Sequence, residues 1–364
     1  KIKKMKKDIP KFRMNVTDII IDTMKDLGYN VQMKLLNSAN YGVPQKRERV
    51  IFVGVRNDIT EKFEYPIETH NKDGTDGKLK WIQDAYTVSA NYPYSEPSNN
   101  GYNYWRNSVK AVIDAYDGTV EFYISDNSDP LIDTYSKIFP NVFKPISDMP
   151  SDLKDHIRYP IDLFKVQSEK YLEYHMQDSQ IFYNNEDLWN IPREKFGQSG
   201  ELQNVEPYYI VMNLPGNDDS EFVLIRPFTP NQRKNLIGWL AGRSDGDQYG
   251  KLIAYNFPKD LTIYGTEQIE ARMDNDPIIS EWFTLRCQEG SFCIRGNLLV
   301  VPIGDTILYA EPIYLQAESV DLPELKKVVL ASADHVIMAD SVKEGVSILL
   351  EKQAGIYNQN DKVL

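Results

Sequence analysis

Val16, Ile19, Ile20, Thr23, Met24 and Leu27 recur at i, i+3 and i+4 spacing, which predicts an amphipathic helix with one buried stripe. Asn15 stands where a capping side chain belongs, and Gly28 where a left-handed residue ends a helix. Val31, Met33 and Leu35 then alternate with Gln32 and Lys34, the period of a half-buried strand. Val50 to Val55 form an unbroken apolar run rich in β-branched residues, which predicts a strand covered on both faces at the edge of a larger sheet. Further along, strands are predicted at Val120 to Ile124, Tyr208 to Leu214, Phe222 to Arg226, Lys251 to Phe257 and Asn297 to Val301. Pro160 suits the first turn of a helix running to about His175. The Ser341-Val342-Lys343-Glu344 capping box opens a last helix with Val342, Val346, Leu349 and Leu350 expected inward. The expected class is α+β, a large mixed domain of several strands and helices behind a small α/β piece.

Composition divides the chain in the same place. With 364 residues, 41% hydrophobic and 26% charged, it is a globular sequence rather than a disordered one. The net charge of -12 argues against bulk nucleic-acid binding, but it is unevenly spread. Residues 1–70 hold 14 Lys and Arg against 9 Asp and Glu, leaving 27 against 44 in the remainder, so the net changes from +5 to -17. Asn71 to Gly77 is a run of turn-formers and the expected junction between two modules. No apolar stretch approaches the roughly 20 residues that cross a bilayer, and no signal peptide is visible. The first residue is Lys, which suggests a piece of something longer. Cys287 and Cys293 flank a Gly290-Ser291 turn; isolated thiols are the favoured reading, with a bridge across a hairpin open in an oxidising compartment.

The most specific chemistry lies in Tyr41 to Arg56. Arg47 and Arg49 alternate, so two forked guanidiniums project to one side at a strand entrance, suited to a phosphate or a pyrimidine oxygen. Gln45 adds an amide that can bond a nucleotide edge. From spacing alone, a solvated charge run is favoured. However, Asp26-Leu27-Gly28-Tyr29, Leu36-Asn37-Ser38-Ala39 and the Gln-x-Arg-x-Arg block from Tyr41 to Gly54 resemble the cytosine-5 DNA methyltransferases in order and spacing. That resemblance implies that Gln45, Arg47 and Arg49 surround a cytosine flipped out of DNA. The family's Pro-Cys nucleophile, Glu-Asn-Val acid motif and Gly-rich cofactor loop are missing from this sequence. Residues 1–70 are therefore expected to be an inactive fragment of a Rossmann-like methyltransferase sheet. S-adenosylmethionine and DNA would serve an intact enzyme only, and no cofactor is expected here.

From residue 78 the sequence resembles a different family. Lys80 to Thr87, Asn107 to Val120, Arg158 to Phe164, Asn213 to Gly216, Gly296 to Leu299 and Tyr309 to Ala317 are similar to uncharacterised protein family 0182. These are bacterial multi-pass membrane proteins with a large region outside the membrane. The resemblance implies that residues 78–352 are a C-terminal soluble domain on the extracytoplasmic side, followed by a tail at 353–364. Its expected partner is the membrane-embedded part of the parent protein, with a protein or glycan ligand open. A DNA enzyme would instead sit in the cytoplasm, so a join by rearrangement or frame error is favoured over a working fusion.

Little else points to a reaction. His156, His175 and His335 are isolated and read as structural. Acidic loops occur at Asp126, Asp129 and Asp133, at Asp218 and Asp219, and at Asp245 and Asp247. The last hints at calcium, yet its spacing completes no binding template, and solvated surface loops are the favoured reading throughout. Aromatics cluster in Tyr92-Pro93-Tyr94 and Tyr102-Asn103-Tyr104-Trp105, where loop packing is favoured over a glycan or partner surface.

Overall fold

The computed structural model describes residues 16–37, 48–58, 63, 79–217, 219–258, 262–288, 290–303, 306–319 and 322–355. They form two compact units: the first takes its described residues from 1–83, 109–124 and 136–148, and the second from the remainder.

In the first unit α1 (Val16–Asp26) leads into an antiparallel pair, β1 (Tyr29–Asn37) and β2 (Glu48–Arg56), with Tyr29 opposite Arg56 and Asn37 opposite Glu48. Gly28 has φ 87°, the left-handed turn expected between helix and strand. Among the described residues this sheet has two strands only, and Ile51 and Met33 are exposed. The expectation that Val50 to Val55 is covered on both faces is therefore corrected: the run is apolar, but Ile51 and Met33, the latter paired with Phe52, are exposed on opposite faces of a two-stranded ribbon. The rest of the unit holds parts of a four-stranded sheet ordered β3-β4-β5-β6, from β3 (Lys80–Ser89), β4 (Tyr104–Asp114), β5 (Val120–Ile124) and β6 (Phe143–Pro145). The β4 and β5 strands are antiparallel and β5 and β6 parallel, the latter link passing through α2 (Pro130–Ile138). Lys80 Nζ bonds Asp114 at 2.5 Å; that bond and the N–H groups of Tyr116 and Asp117 hold the Asp114 carboxyl down at about 2.

The second unit is built on two five-stranded sheets. Its chain runs through α3 (Ser151–Lys154), α4 (Ile161–Tyr174), α5 (Ser179–Asn184), β7 (Trp189–Asn190), β8 (Arg193–Phe196) and β9 (Glu201–Asn204). There follow β10 (Tyr208–Asn213), β11 (Ser220–Pro230), β12 (Gly238–Arg243) and β13 (Leu252–Asn256), then the helices α6 (Thr266–Asn275) and α7 (Pro277–Arg286). The chain continues through β14 (Ser291–Arg295), β15 (Leu299–Ile303), β16 (Thr306–Ala317), β17 (Glu324–Ala331), β18 (Val336–Ala339) and α8 (Val342–Gln353).

The first of these sheets is the meander β10-β11-β12-β13, with β7 also pairing to β11. Alternation sorts its residues onto two apolar faces. Leu224, Phe228 and Leu240 meet Tyr159, Phe164 and Trp189, and partly buried Ile161, Tyr171 and Leu172 of α4 pack on that cluster. Val223, Ile225, Trp239 and Ala241 meet Met212 and Leu214 on the other face. Pro160 proves to be the residue just before the helix, with extended ψ of 117°.

The second sheet runs β14-β16-β17-β18, with β15 continuing the β14 edge of β16. Ile269, Met273 and Ile279 of α6 and α7 pack on Tyr309, Ile313, Val329 and Ala331. On the opposite face α8 sets Ile348 and Leu349 against Val328, Leu330 and Ile337. Ser341 Oγ accepts the Glu344 N–H as the capping box requires, but the Glu344 carboxylate reaches back to the Asp340 N–H instead. The expected inward face is corrected in part: Leu349 is buried and Val346 packs partly buried against the same cluster, as expected. Val342 and Leu350 are exposed, while Gly345 is buried because a Cβ there would lie 2.6 Å from Leu330 Cδ1. The close approach rotates the buried stripe onto residues 345, 348 and 349. The strand expected to begin at Asn297 begins at Leu299, for a reason that lies in the acidic cluster below.

Candidate functional site

A carboxylate stands where strand alternation asks for an apolar side chain. In β16, Ile307, Tyr309, Glu311 and Ile313 all face the core, and Glu311 is 1% exposed. In α6 the buried stripe of Thr266, Ile269, Glu270 and Met273 likewise contains an acid, also 1% exposed. In β8, Glu194 is fully buried. These three carboxylates share one neighbourhood with Asp274, Lys195 and Arg295.

Glu194 is well served. Its Oε2 accepts the Leu298 N–H at 2.7 Å, and its Oε1 accepts the amides of Asn297 at 2.8 Å and Gln203 at 3.3 Å. Taking Leu298 N–H out of the ladder in this way delays the start of β15. Burial raises the Glu194 carboxyl, and these donors work against the rise. Asp274 is paired to both Lys195 Nζ and Arg295 Nη2, which outweigh its burial and hold its carboxyl below the usual range. Arg295 also lies 4.9 Å over the Phe283 ring.

Glu270 and Glu311 are served poorly. Glu270 Oε1 accepts the Lys195 N–H at 2.6 Å, and Glu311 Oε1 meets Arg295 Nη1 only at 3.4 Å. The Oε2 atoms of both are buried and have no hydrogen-bond partner among the described residues. Burial pushes Glu270 up to about 7, with the Glu194 charge adding and Arg295 opposing. Burial pushes Glu311 up to about 8, with Arg295 opposing and Glu270, Asp274 and Glu194 adding. Asp274 takes the closest contact of the Arg295 guanidinium, which leaves Glu311 with the weaker share.

Two clefts border the cluster. One of about 440 Å³ is lined by Lys195, Gly197 to Gly200, Asp274, Arg295, Phe283 and the Cys287–Cys293 pair. Another of about 260 Å³ is lined by Glu270 and Asp274 beside Lys195 and Leu202. Cys287 and Cys293 form a disulfide with Cα atoms 5.3 Å apart, closing the end of α7 onto β14. The isolated-thiol reading is thus corrected: the intervening turn returns the chain within bridging distance. Among the described residues no group of acids, His and Cys is arranged to hold a metal ion.

The residues singled out from the sequence fall elsewhere. Gln45 and Arg47 lie outside the described residues, and Arg49 is in β2 opposite Leu36. Asp245 and Asp247 are exposed, and Asp245 Oδ2 accepts the Phe222 N–H at 2.8 Å. Asp218 lies outside the described residues, while Asp219 is exposed. The acidic group at 126–133 is not a solvated loop throughout. Asp129 is fully buried and accepts from Thr87 Oγ1 at 2.6 Å, Ser108 Oγ at 2.5 Å, Tyr104 Oη at 2.6 Å and Leu131 N–H at 3.0 Å. Burial alone would raise its carboxyl; these four donors outweigh that and hold it at about 2. His175 is stacked on Trp189 with ring centres 3.8 Å apart, and His156 Nδ1 meets Asp152 O at 2.6 Å. Tyr104 and Trp105 pack against Tyr92 and Tyr86, whereas Tyr94 is fully exposed.

Residues 63–286 match the family described as Uncharacterised protein family (UPF0182). This chain belongs to the UPF0182 family. A UPF0182 protein of Nostoc sp. is 54% identical over 280 residues, covering 77% of this chain and 28% of the relative. Those of Pelotomaculum thermopropionicum and Desulforamulus reducens are each 53% identical, covering 78% and 73% of this chain and 31% and 28% of their own lengths. The chain thus spans less than a third of the length of these curated relatives. No solved structure matches it. No helix among the described residues is long and apolar enough to cross a membrane.

Proposed function

We propose that residues 78–352 are the extracytoplasmic part of a UPF0182 membrane protein, serving there as a binding or structural module against the membrane-embedded part of the parent chain. The observation that carries this reading is the Cys287–Cys293 disulfide, a bond that persists in oxidising compartments outside the cytoplasm. The cleft beside it, walled by Lys195, Asp274 and Arg295, offers charged groups to a polar ligand or to a segment of a partner protein. The test uses the full-length parent protein in intact cells. A membrane-impermeant reductant followed by a membrane-impermeant maleimide labels Cys287, an exposed residue, if the domain faces outward. Labelling only after lysis overturns the placement.

For residues 1–70, joined through 71–77, the reading remains a fragment of a DNA cytosine-5 methyltransferase without its own activity. It is supported by the residue pattern at Gln45, Arg47 and Arg49. Under the alternative, in which this part works as a cytoplasmic DNA enzyme with S-adenosylmethionine, purified protein transfers methyl groups to DNA; the fragment reading expects none. Weak DNA retention that disappears in the Arg47→Ala/Arg49→Ala variant would assign a residual nucleic-acid role.

A further inference from the structure

The acidic cluster has a charge imbalance that its own residues do not remove. Four carboxylates (Glu194, Glu270, Asp274 and Glu311) face two cations, Lys195 and Arg295. The other contributors from the surrounding elements are known. The β8 strand supplies Glu194 and Lys195, α6 supplies Glu270 and Asp274, β14 supplies Arg295, and β17 places uncharged Val329 opposite Glu311. Glu267, one turn back on α6, is taken up by Lys234 and Arg193. With every acid ionised the cluster keeps two uncompensated negative charges, and three of its four carboxylates, Glu194, Glu270 and Glu311, are buried away from water. That is costly unless a ligand or a proton removes them. Both unpartnered oxygens, Glu270 Oε2 and Glu311 Oε2, belong to side chains only 1% exposed.

We propose that Glu270 and Glu311 are a proton-binding pair, each taking one proton from water, and that the two protons form a pH-operated latch holding α6 against β8, β14 and β16. Two protons bring the six groups to neutrality, since Glu194 and Asp274 then balance Lys195 and Arg295. A proton on each orphaned oxygen also removes the charge from an atom that no donor serves. Glu270 stands in the wall of the small cleft, which brings solvent close to that member of the pair. Loss of the protons restores the buried charge, loosens α6, and turns the cleft wall anionic.

The pH dependence has a definite sign. A carboxyl raised above its ordinary 4.5 binds its proton more tightly in the folded chain. Its contribution to stability is complete below that ordinary value and disappears as the pH rises through about 7 for Glu270 and about 8 for Glu311. The experiment is an infrared titration of the whole folded chain between about pH 5 and about pH 9, with thermal unfolding followed in parallel. The expected result is a protonated-carboxyl stretching band that survives to neutral pH and is then lost, and a melting temperature that falls by several degrees over the same range. In Glu270→Gln/Glu311→Gln, which keeps shape without titrating, the neutral-pH band is missing and the fall is at least halved. Should that variant not fold, the wild-type band decides alone. A folded wild-type chain with no protonated carboxyl at neutral pH overturns the proposal, and so does an unchanged fall in a folded double variant.

Discussion

The ring of Tyr159 occupies the space that a side chain on Gly242 would need: a Cβ there would stand 2.6 Å from Tyr159 Cγ. Tyr159 is itself fixed, its hydroxyl donating to Gln167 Oε1 at 2.8 Å and its carbonyl accepting from Tyr209 Oη at 2.5 Å. Gly242→Ala must therefore push a ring that cannot yield easily. The expected loss is about 1–3 kcal/mol, read from the urea midpoint at unchanged slope.

Asp129 gathers three hydroxyls and one N–H around a single buried carboxylate. Asp129→Ala leaves those donors without an acceptor and should cost about 3 kcal/mol in chemical unfolding. Because the folded carboxyl is held near 2 against an ordinary 3.8, its contribution is present above the ordinary value and is lost as the pH falls through about 2. Acid unfolding of Asp129→Asn should lack that component.

The disulfide closes a short loop, with a sequence separation of 6. On chain-entropy grounds Cys287→Ser/Cys293→Ser should lose about 2 kcal/mol. Thiol titration of the unreduced, denatured protein should find no free cysteine, and a reductant should lower the melting temperature of the parent but leave the variant unchanged.

The rotated face of α8 makes neighbours unequal. Ile348→Ala and Leu349→Ala remove side chains packed on Val328 and Leu330 and should each cost about 2–4 kcal/mol. Leu350→Ala, at an exposed position, should stay within about 0.5 kcal/mol.

Local pattern was enough to find many elements. The alternation of Tyr208 to Leu214, the apolar run at Phe222 and the Ser341 cap correspond to β10, β11 and the start of α8. What the pattern could not carry was each element's neighbour. Val50 to Val55 reads as a covered strand because composition reports apolarity, whereas covering requires a second layer. Leu350 reads as inward until the closeness of Leu330 to Gly345 sets the helix rotation. Asp129 sits between partly solvated acids in sequence and differs from them only through Thr87, Ser108 and Tyr104, which arrive from distant strands. The acidic cluster joins residues from 194 to 311 with no spacing to advertise it. One signal was present all the same: Glu311 interrupts the apolar alternation of Ile307, Tyr309 and Ile313, and Glu270 interrupts the stripe of Ile269 and Met273.

The bond from Leu298 N–H to Glu194 Oε2 links positions 104 residues apart. During synthesis, Glu194 leaves the ribosome with none of its later donors yet made, and at about 5–20 residues per second it waits roughly 5–20 s for Leu298. For that interval the Glu194 carboxylate is hydrated, and β8 cannot be buried in its native place without losing that water before the Leu298 N–H replaces it. Native burial of β8 is therefore a late step of synthesis, set by the arrival of Leu298 rather than by anything within β8 itself.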